Sequence, residues 1–76
     1  MIQAINKWDD KQFREIGLGL EKGIDIGVYY NSEFDWRQMR QIRLGLEEGL
    51  DVSKYARLDW NWVYMYIMRK LLERRQ

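Results

Sequence analysis

The apolar positions of this chain recur at helical spacing in three segments. In each segment three apolar side chains stand at i, i+3 and i+7, so they share one face of a helix. The three sets are Phe13, Ile16 and Leu20; Met39, Ile42 and Leu46; and Met65, Met68 and Leu72. The pattern predicts three long amphipathic helices, each with one apolar stripe that faces the core.

The three stripes lie a constant 26 residues apart, and the same spacing relates residues 16–29 to residues 42–55. An internal period of this length is typical of stacked helical arrays. We therefore expect a single all-α domain over residues 1–76, in which each repeat is a long helix, a glycine turn and a short helix. Two and a half repeats are expected, at about residues 8–33, 34–59 and 60–76. Ile2 and Ile5 are spaced to cover the open end of the first repeat.

Polar residues predict where the long helices begin. Aspartate or asparagine at an N-cap accepts a hydrogen bond from a backbone N–H group, and a glutamine three residues later can reach back. The expected N-caps are Asp9, Asp35 and Asn61. Gln12 and Gln38 complete the first two capping boxes, and Trp8 is placed to pack on Phe13 across the first cap.

Glycine predicts where the first two helices end. Gly23 and Gly49 follow the last apolar residue of each stripe, and glycine enters the left-handed conformation at low cost. The aspartates that follow indicate short helices of one to two turns at Asp25–Tyr30 and Asp51–Ala56. Because proline is absent and no segment alternates between apolar and polar residues, strands are not expected.

Two further glycines, Gly19 and Gly45, lie inside helices, where each costs about 1 kcal/mol relative to alanine. The favoured explanation is close approach of the next repeat's backbone at each glycine. Leu71 occupies the matching position of the third repeat, where no further repeat follows. A glycine-lined ligand groove is the alternative.

The residue inventory argues against catalysis. The chain has no cysteine, histidine or threonine, and Ser32 and Ser53 are its only serines, so an activated nucleophile beside a base is not expected. Adjacent carboxylates in a helix, such as Glu47 and Glu48, point about 100° apart and do not converge on a metal or a substrate. We expect no catalytic residue, no metal and no cofactor.

The charge balance and hydropathy favour a soluble cytoplasmic protein. Thirteen basic against twelve acidic residues give a net charge of +1, so no global field attracts nucleic acid or an acidic membrane. No apolar stretch approaches the roughly 18 residues that a membrane span needs, and the N-terminus lacks the pattern of a signal peptide.

The third helix carries more apolar surface than one stripe needs. A second stripe of Trp60, Tyr64, Ile67 and Leu71 runs at i, i+4, i+7 and i+11 beside the first. Either the short helices cover it, or it is open for a partner, with a homodimer as the simplest case. The sequence predicts a protein-binding surface that consists of Trp60, Trp62, Tyr64, Tyr66 and Ile67, assisted by Arg37, Arg40 and Arg43.

Nucleic acid is the alternative partner. Residues 49–53 followed by a helix from Asn61 to Arg75 have the outline of a helix-turn-helix, and the helix end is basic. The same turn recurs at residues 23–27, however, and the third helix begins with aromatic residues and not with polar base readers. A single-strand binder that stacks bases on tryptophan and tyrosine beside arginine is the better version of this alternative.

The segment from Gln38 to Ala56 (QMRQIRLGLEEGLDVSKYA) resembles a short helical repeat that occurs in tandem in proteins of phages and conjugative elements of Firmicutes. The first repeat matches more loosely, with Gly17 and Gly27 in place of Arg43 and Ser53. The resemblance implies a mobile-element origin and a cytosolic setting. Small proteins of such elements often inhibit a host system, and anti-CRISPR proteins are one kind. The resemblance implies no catalytic or binding residues.

Overall fold

The computed structural model describes residues 7–75, and this part of the chain is helical, with no strand. The long helices are α1 (Asp10–Glu21), α2 (Trp36–Glu47) and α3 (Trp62–Arg74). Two single 3₁₀ turns, at Ile26–Val28 and Val52–Lys54, follow α1 and α2. The all-helical prediction is confirmed. The expected covering role of Ile2 and Ile5 falls outside the described residues.

The predicted N-caps form as the sequence indicates. The Asp9 carboxylate accepts from the Gln12 backbone N–H at 2.7 Å, and the Gln12 amide oxygen accepts from the Asp9 N–H at 2.8 Å. Asp35 and Gln38 form the same reciprocal pair. Trp8 packs on Phe13 with ring centroids 6.1 Å apart, so the contact predicted across the first cap is present.

The predicted helix ends also form, but the short helices span fewer residues than expected. Gly23 and Gly49 have φ angles of 71° and 74°, in the left-handed region that favours glycine. Each following aspartate accepts a bond from the backbone N–H two residues on, and the turn then ends at a tyrosine. Each short helix is a single 3₁₀ turn of three residues, at the lower end of the one to two turns expected, because the chain leaves the helical conformation at Tyr29 and Tyr55.

The first turn is fixed to α1 by a buried tyrosine. The Tyr29 hydroxyl is fully buried and donates to the Glu15 backbone oxygen at 2.8 Å. Its path crosses Gly19, where an added Cβ would lie 2.0 Å from the hydroxyl and 2.7 Å from Cγ2 of Ile26. Burial raises the pKa of Tyr29 from its ordinary value of 10.0 to about 12, so the hydroxyl remains a protonated donor into the alkaline range as well as at neutral pH.

The second turn repeats this contact on α2. The Tyr55 hydroxyl donates to the Gln41 backbone oxygen at 2.6 Å, and a Cβ on Gly45 would lie 2.1 Å from it. The expectation that Gly19 and Gly45 admit the next repeat's backbone is therefore wrong. Each glycine makes room for the tyrosine and the aliphatic side chain of the 3₁₀ turn that follows its own helix.

Each of the first two long helices is also tied to the loop that leads into the next helix. Gln12 and Gln38 are buried, and each side-chain amide donates to two backbone carbonyl oxygens of that loop. The acceptors are those of Ser32 and Phe34 for Gln12, and those of Leu58 and Trp60 for Gln38, at 2.6–3.3 Å. The two capping glutamines therefore fix local and long-range structure at once.

The core lies along α2, which packs against α1 and against α3. The apolar stripe is buried as predicted at Met39, Ile42 and Met65, which are inaccessible to solvent. The prediction is wrong at Phe13 and Leu20, which are 50% and 62% exposed. The matching face of α2 packs on α1, whereas no described helix packs on that face of α1.

Alanine substitution at two neighbouring glycines of α1 tests the tyrosine contact. Gly19→Ala should lower the free energy of unfolding by about 1–3 kcal/mol, because the new Cβ displaces Tyr29. Gly17→Ala is the matched control: nothing lies within 4 Å of its Cβ position, so the gain in helix propensity should raise stability by about 1 kcal/mol. Urea unfolding measures both, and stabilisation by Gly19→Ala would contradict the packing argument.

Candidate functional site

α3 presents an open apolar face to solvent. Trp60, Tyr64, Ile67 and Leu71 are here called the α3 seam: Tyr64, Ile67 and Leu71 lie in line along the helix, and Trp60 lies just before its N-cap, Asn61. Tyr64, Ile67 and Leu71 are 60%, 49% and 49% exposed, and Trp60 is half-buried. Trp60, Tyr64 and Ile67, with Met68, line an open groove of about 380 Å³. The second 3₁₀ turn packs on α2, so it leaves the α3 seam uncovered.

The α3 seam corresponds to the face that receives the following element in α1 and α2. The residues there are Gln12, Glu15 and Gly19 in α1, Gln38, Gln41 and Gly45 in α2, and Tyr64, Ile67 and Leu71 in α3. The α1 and α2 members are buried under the 3₁₀ turn and the next helix. In α3 the polar and glycine positions have become large apolar side chains, and the face is open.

The remaining predicted aromatic residues lie on other sides of α3. Tyr66 is 42% exposed, and its ring lies under the cationic groups of Arg69 and Lys70, each 5.7 Å from the centroid. Trp62 is 37% exposed and lines a small pocket with residues of α2, among them Arg37. The predicted protein-binding residues therefore form more than one surface.

A cluster of cations surrounds Trp36, which the sequence analysis did not single out. Lys11 Nζ, Arg37 Cζ and Arg40 Cζ lie 5.1, 4.9 and 5.4 Å from the centroid of its ring. We call these four residues the Trp36 cluster. The available signal was the sequence Trp36-Arg37 at the start of a helix, but the contribution of Lys11 from α1 depends on the fold.

Arg43 lies inside the protein and does not contribute to a binding surface. Its Nε donates to Glu15 at 2.7 Å, and its guanidinium also binds Glu47 one turn away. Glu15 is 1% exposed and receives a second contact from Arg40 at 3.3 Å. The predicted stripe of three arginines therefore divides: Arg37 and Arg40 flank Trp36, whereas Arg43 joins α2 to α1. Glu15 was not predicted from the sequence, because helical spacing alone does not show that a charged residue is buried.

Arg69 occupies the matching position between α3 and α2. Its Nε donates to the Gln41 amide oxygen at 2.9 Å, and its guanidinium bridges Glu48 and Glu73 at 3.1 and 2.8 Å. Burial and a hydrogen bond to Glu73 raise the pKa of Glu48 above its ordinary value. This arginine is 6% exposed, so the basic end of α3 presents Lys70, Arg74 and Arg75 to solvent but not Arg69.

Other kinds of site find no support in the part of the chain that the structure describes. No three acidic side chains there converge on a metal position, and no buried side-chain nitrogen or oxygen lacks a hydrogen-bond partner. Within residues 7–75, no helix combines the length and apolarity needed to cross a bilayer. The chain matches no protein-family model, and no curated protein or solved structure is significantly similar to it.

Alanine substitution at two arginines of α2 tests the division of the predicted stripe. Arg43→Ala should lower the free energy of unfolding by about 3 kcal/mol, because it leaves the buried Glu15 without its closest partner. Arg37→Ala, the matched control, removes only an exposed contact with Trp36 and should change stability by less than about 1 kcal/mol. Urea unfolding at low salt measures the free energy of unfolding of both variants. A similar small decrease for both would contradict the assignment of Arg43 to the interior.

Proposed function

We propose that the chain is a non-catalytic protein–protein interaction module whose contact surface is the α3 seam. The observation that best supports this proposal is the line of large exposed apolar side chains beside an open groove. Contiguous apolar surface of this kind typically marks an interaction site, and tryptophan and tyrosine are enriched where contacts matter most. The other two helices bury the corresponding face, so exposure here is specific to α3.

The scaffold of this module is proposed to be an array of two and a half 26-residue repeats. Equivalent interactions support it: a tyrosine over a glycine, a glutamine on loop carbonyls, and an arginine that reaches back to the preceding helix each occur twice, 26 residues apart. Repeat arrays commonly serve as binding scaffolds. The resemblance of residues 38–56 to repeats of mobile elements favours a cytoplasmic inhibitor of a host system, of the anti-CRISPR kind, as the biological setting.

A charge placed in the α3 seam tests this function. Ile67→Glu should abolish capture of partner proteins from a lysate of the producing cells, because it introduces an unpaired carboxylate at the centre of the contact. Leu20→Glu is the matched control, since Leu20 is an exposed apolar residue of α1, outside the seam, at 62% exposure against 49% for Ile67. Quantitative mass spectrometry compares the captured sets; an identical set for the wild type and Ile67→Glu would contradict the proposal.

Single-stranded nucleic acid is the second candidate, and the Trp36 cluster favours it. A partly exposed tryptophan ringed by three cations combines a stacking platform with phosphate-binding groups. The net positive charge of the Trp36 cluster is small, because Glu15 lies 3.3 Å from Arg40 and offsets one of the three cations. Binding of a nucleic acid there would therefore depend on few phosphate contacts.

A labelled oligonucleotide tests this second candidate. Binding should weaken as salt rises, and Lys11→Ala combined with Arg37→Ala should reduce the slope of log K against log salt by about 1.4. Arg57→Ala is the control, because Arg57 also stacks on a tryptophan, Trp60, outside the cluster. No fluorescence anisotropy change at low ionic strength would exclude this function.

A further inference from the structure

We infer that the α3 seam binds the α3 seam of a second copy of this chain, with the two helices antiparallel. The inference rests on the proposed function and names the partner of the same surface. Four features of the structure lead to it: the shape of the face, its spacing, the distribution of side chains along it, and the charges at its ends.

The α3 seam is not shaped to receive another unit of the kind found within this chain. At Gly45 the hydroxyl of Tyr55 would lie 2.1 Å from an added Cβ, so the tyrosine contact requires glycine. Leu71 occupies that position in α3, and Tyr64 occupies the position from which Gln38 holds loop carbonyls. A different occupant is therefore needed, one that packs on protruding apolar side chains.

The spacing of the α3 seam suits a single helix. Tyr64, Ile67 and Leu71 stand at i, i+3 and i+7, which are successive a and d positions of a heptad, the arrangement in which side chains of one helix fit between those of another. These three residues extend over about 10 Å along the helix, at about 1.5 Å per residue. A helix of the length of α3 covers this distance.

The order of side chains makes the seam complementary to itself in the antiparallel direction. Its first half is aromatic (Trp60 and Tyr64) and its second half is aliphatic (Ile67 and Leu71). An antiparallel pair places Tyr64 opposite Ile67 of the second copy and directs Leu71 towards the Trp60 end of the second copy, so rings meet aliphatic side chains along the contact. A parallel pair would place identical residues opposite each other, so rings would meet rings and the smaller aliphatic side chains would meet each other and fill less space.

The charges at the two ends of α3 favour the same direction. Arg74 and Arg75 are exposed at the end of the helix, where Glu73 is engaged by Arg69 and Lys70. At the other end, the exposed Asp59 pairs with Arg57 at 3.6 Å, so the start of the helix carries no net charge from this pair. Antiparallel packing keeps the two basic ends apart and opposes the helix dipoles, whereas parallel packing brings the basic ends together.

One pair of short helices buries less surface than a standard stable interface, so we expect a dissociation constant of about 1–100 μM. Sedimentation equilibrium of the full chain over roughly 1 μM to 1 mM should show a reversible monomer–dimer equilibrium. Ile67→Glu should remove the dimer and Leu20→Glu should keep it, while circular dichroism shows that both remain helical. A wild-type monomer at every concentration, or a dimer that persists in Ile67→Glu, would overturn the inference.

Cysteine cross-linking determines the direction, because the natural chain contains no cysteine. An antiparallel seam brings position 64 of one copy to position 67 of the other, within reach of a disulfide. An equimolar mixture of Tyr64→Cys and Ile67→Cys should form covalent dimers roughly tenfold faster than either variant alone. Faster cross-linking of each variant alone indicates a parallel pair, and no cross-linking indicates no seam contact; both results overturn the inference. The protein-binding proposal would survive either result if capture from lysate still depended on Ile67.

Discussion

A buried tyrosine hydroxyl that crosses a glycine determines how one helix of this protein leads to the next. Tyr29 reaches the backbone oxygen of Glu15 only because Gly19 has no side chain in its path. The hydrogen bond satisfies a hydroxyl that would otherwise be buried without a partner, which costs about 1–3 kcal/mol. The contact fixes the 3₁₀ turn on the helix that precedes it, and therefore fixes where the loop to the next helix starts.

The second level of organisation is a set of buried polar contacts that join neighbouring helices. Arg43 reaches back from α2 to Glu15, and Arg69 reaches back from α3 to Gln41. The arginine is kept while its acceptor changes from a carboxylate to an amide, and near Arg69 the negative charge comes from Glu48 and Glu73 instead. Buried polar pairs of this kind are weak evidence for net stability. We therefore infer that these contacts fix how far each helix is shifted along its neighbour, because an arginine displaced by one turn would lose its acceptor.

Local sequence signals predicted the helices, their N-caps and their glycine ends, because each of these depends on residues within one turn. The burial of individual side chains was harder to predict, because it depends on which element lies opposite. The apolar stripe of α1 was assigned to the core by its resemblance to that of α2, yet Phe13 and Leu20 have no described helix against them. Arg43 was assigned to the surface by its charge, although its acceptor Glu15 is 28 positions away along the chain.

Part of the candidate site was predictable from the sequence, because it too depends on a local pattern. The second stripe of α3 is a local pattern, so Tyr64 and Ile67 could be identified from spacing alone, whereas Trp60 was assigned to the helix and lies just before it. The Trp36 cluster could not, since Lys11 comes from α1 and meets Trp36 only after the helices pack. The separation of Trp62 and Tyr66 from the α3 seam, by contrast, follows from helical spacing, because each residue is turned by about 100° from the one before it.

The comparison of α3 with α1 and α2 bears directly on function. If the exposed face of α3 served only to end the stack, polar side chains would suffice, because solvent satisfies them at no cost. Tyr64, Ile67 and Leu71 instead keep large apolar surface in water, where each forgoes roughly 1.5–3 kcal/mol that full burial would supply. Three such residues stand in line on α3 at i, i+3 and i+7, the spacing at which helices pack on one another, and this exposed line is the observation on which the proposed interaction surface rests.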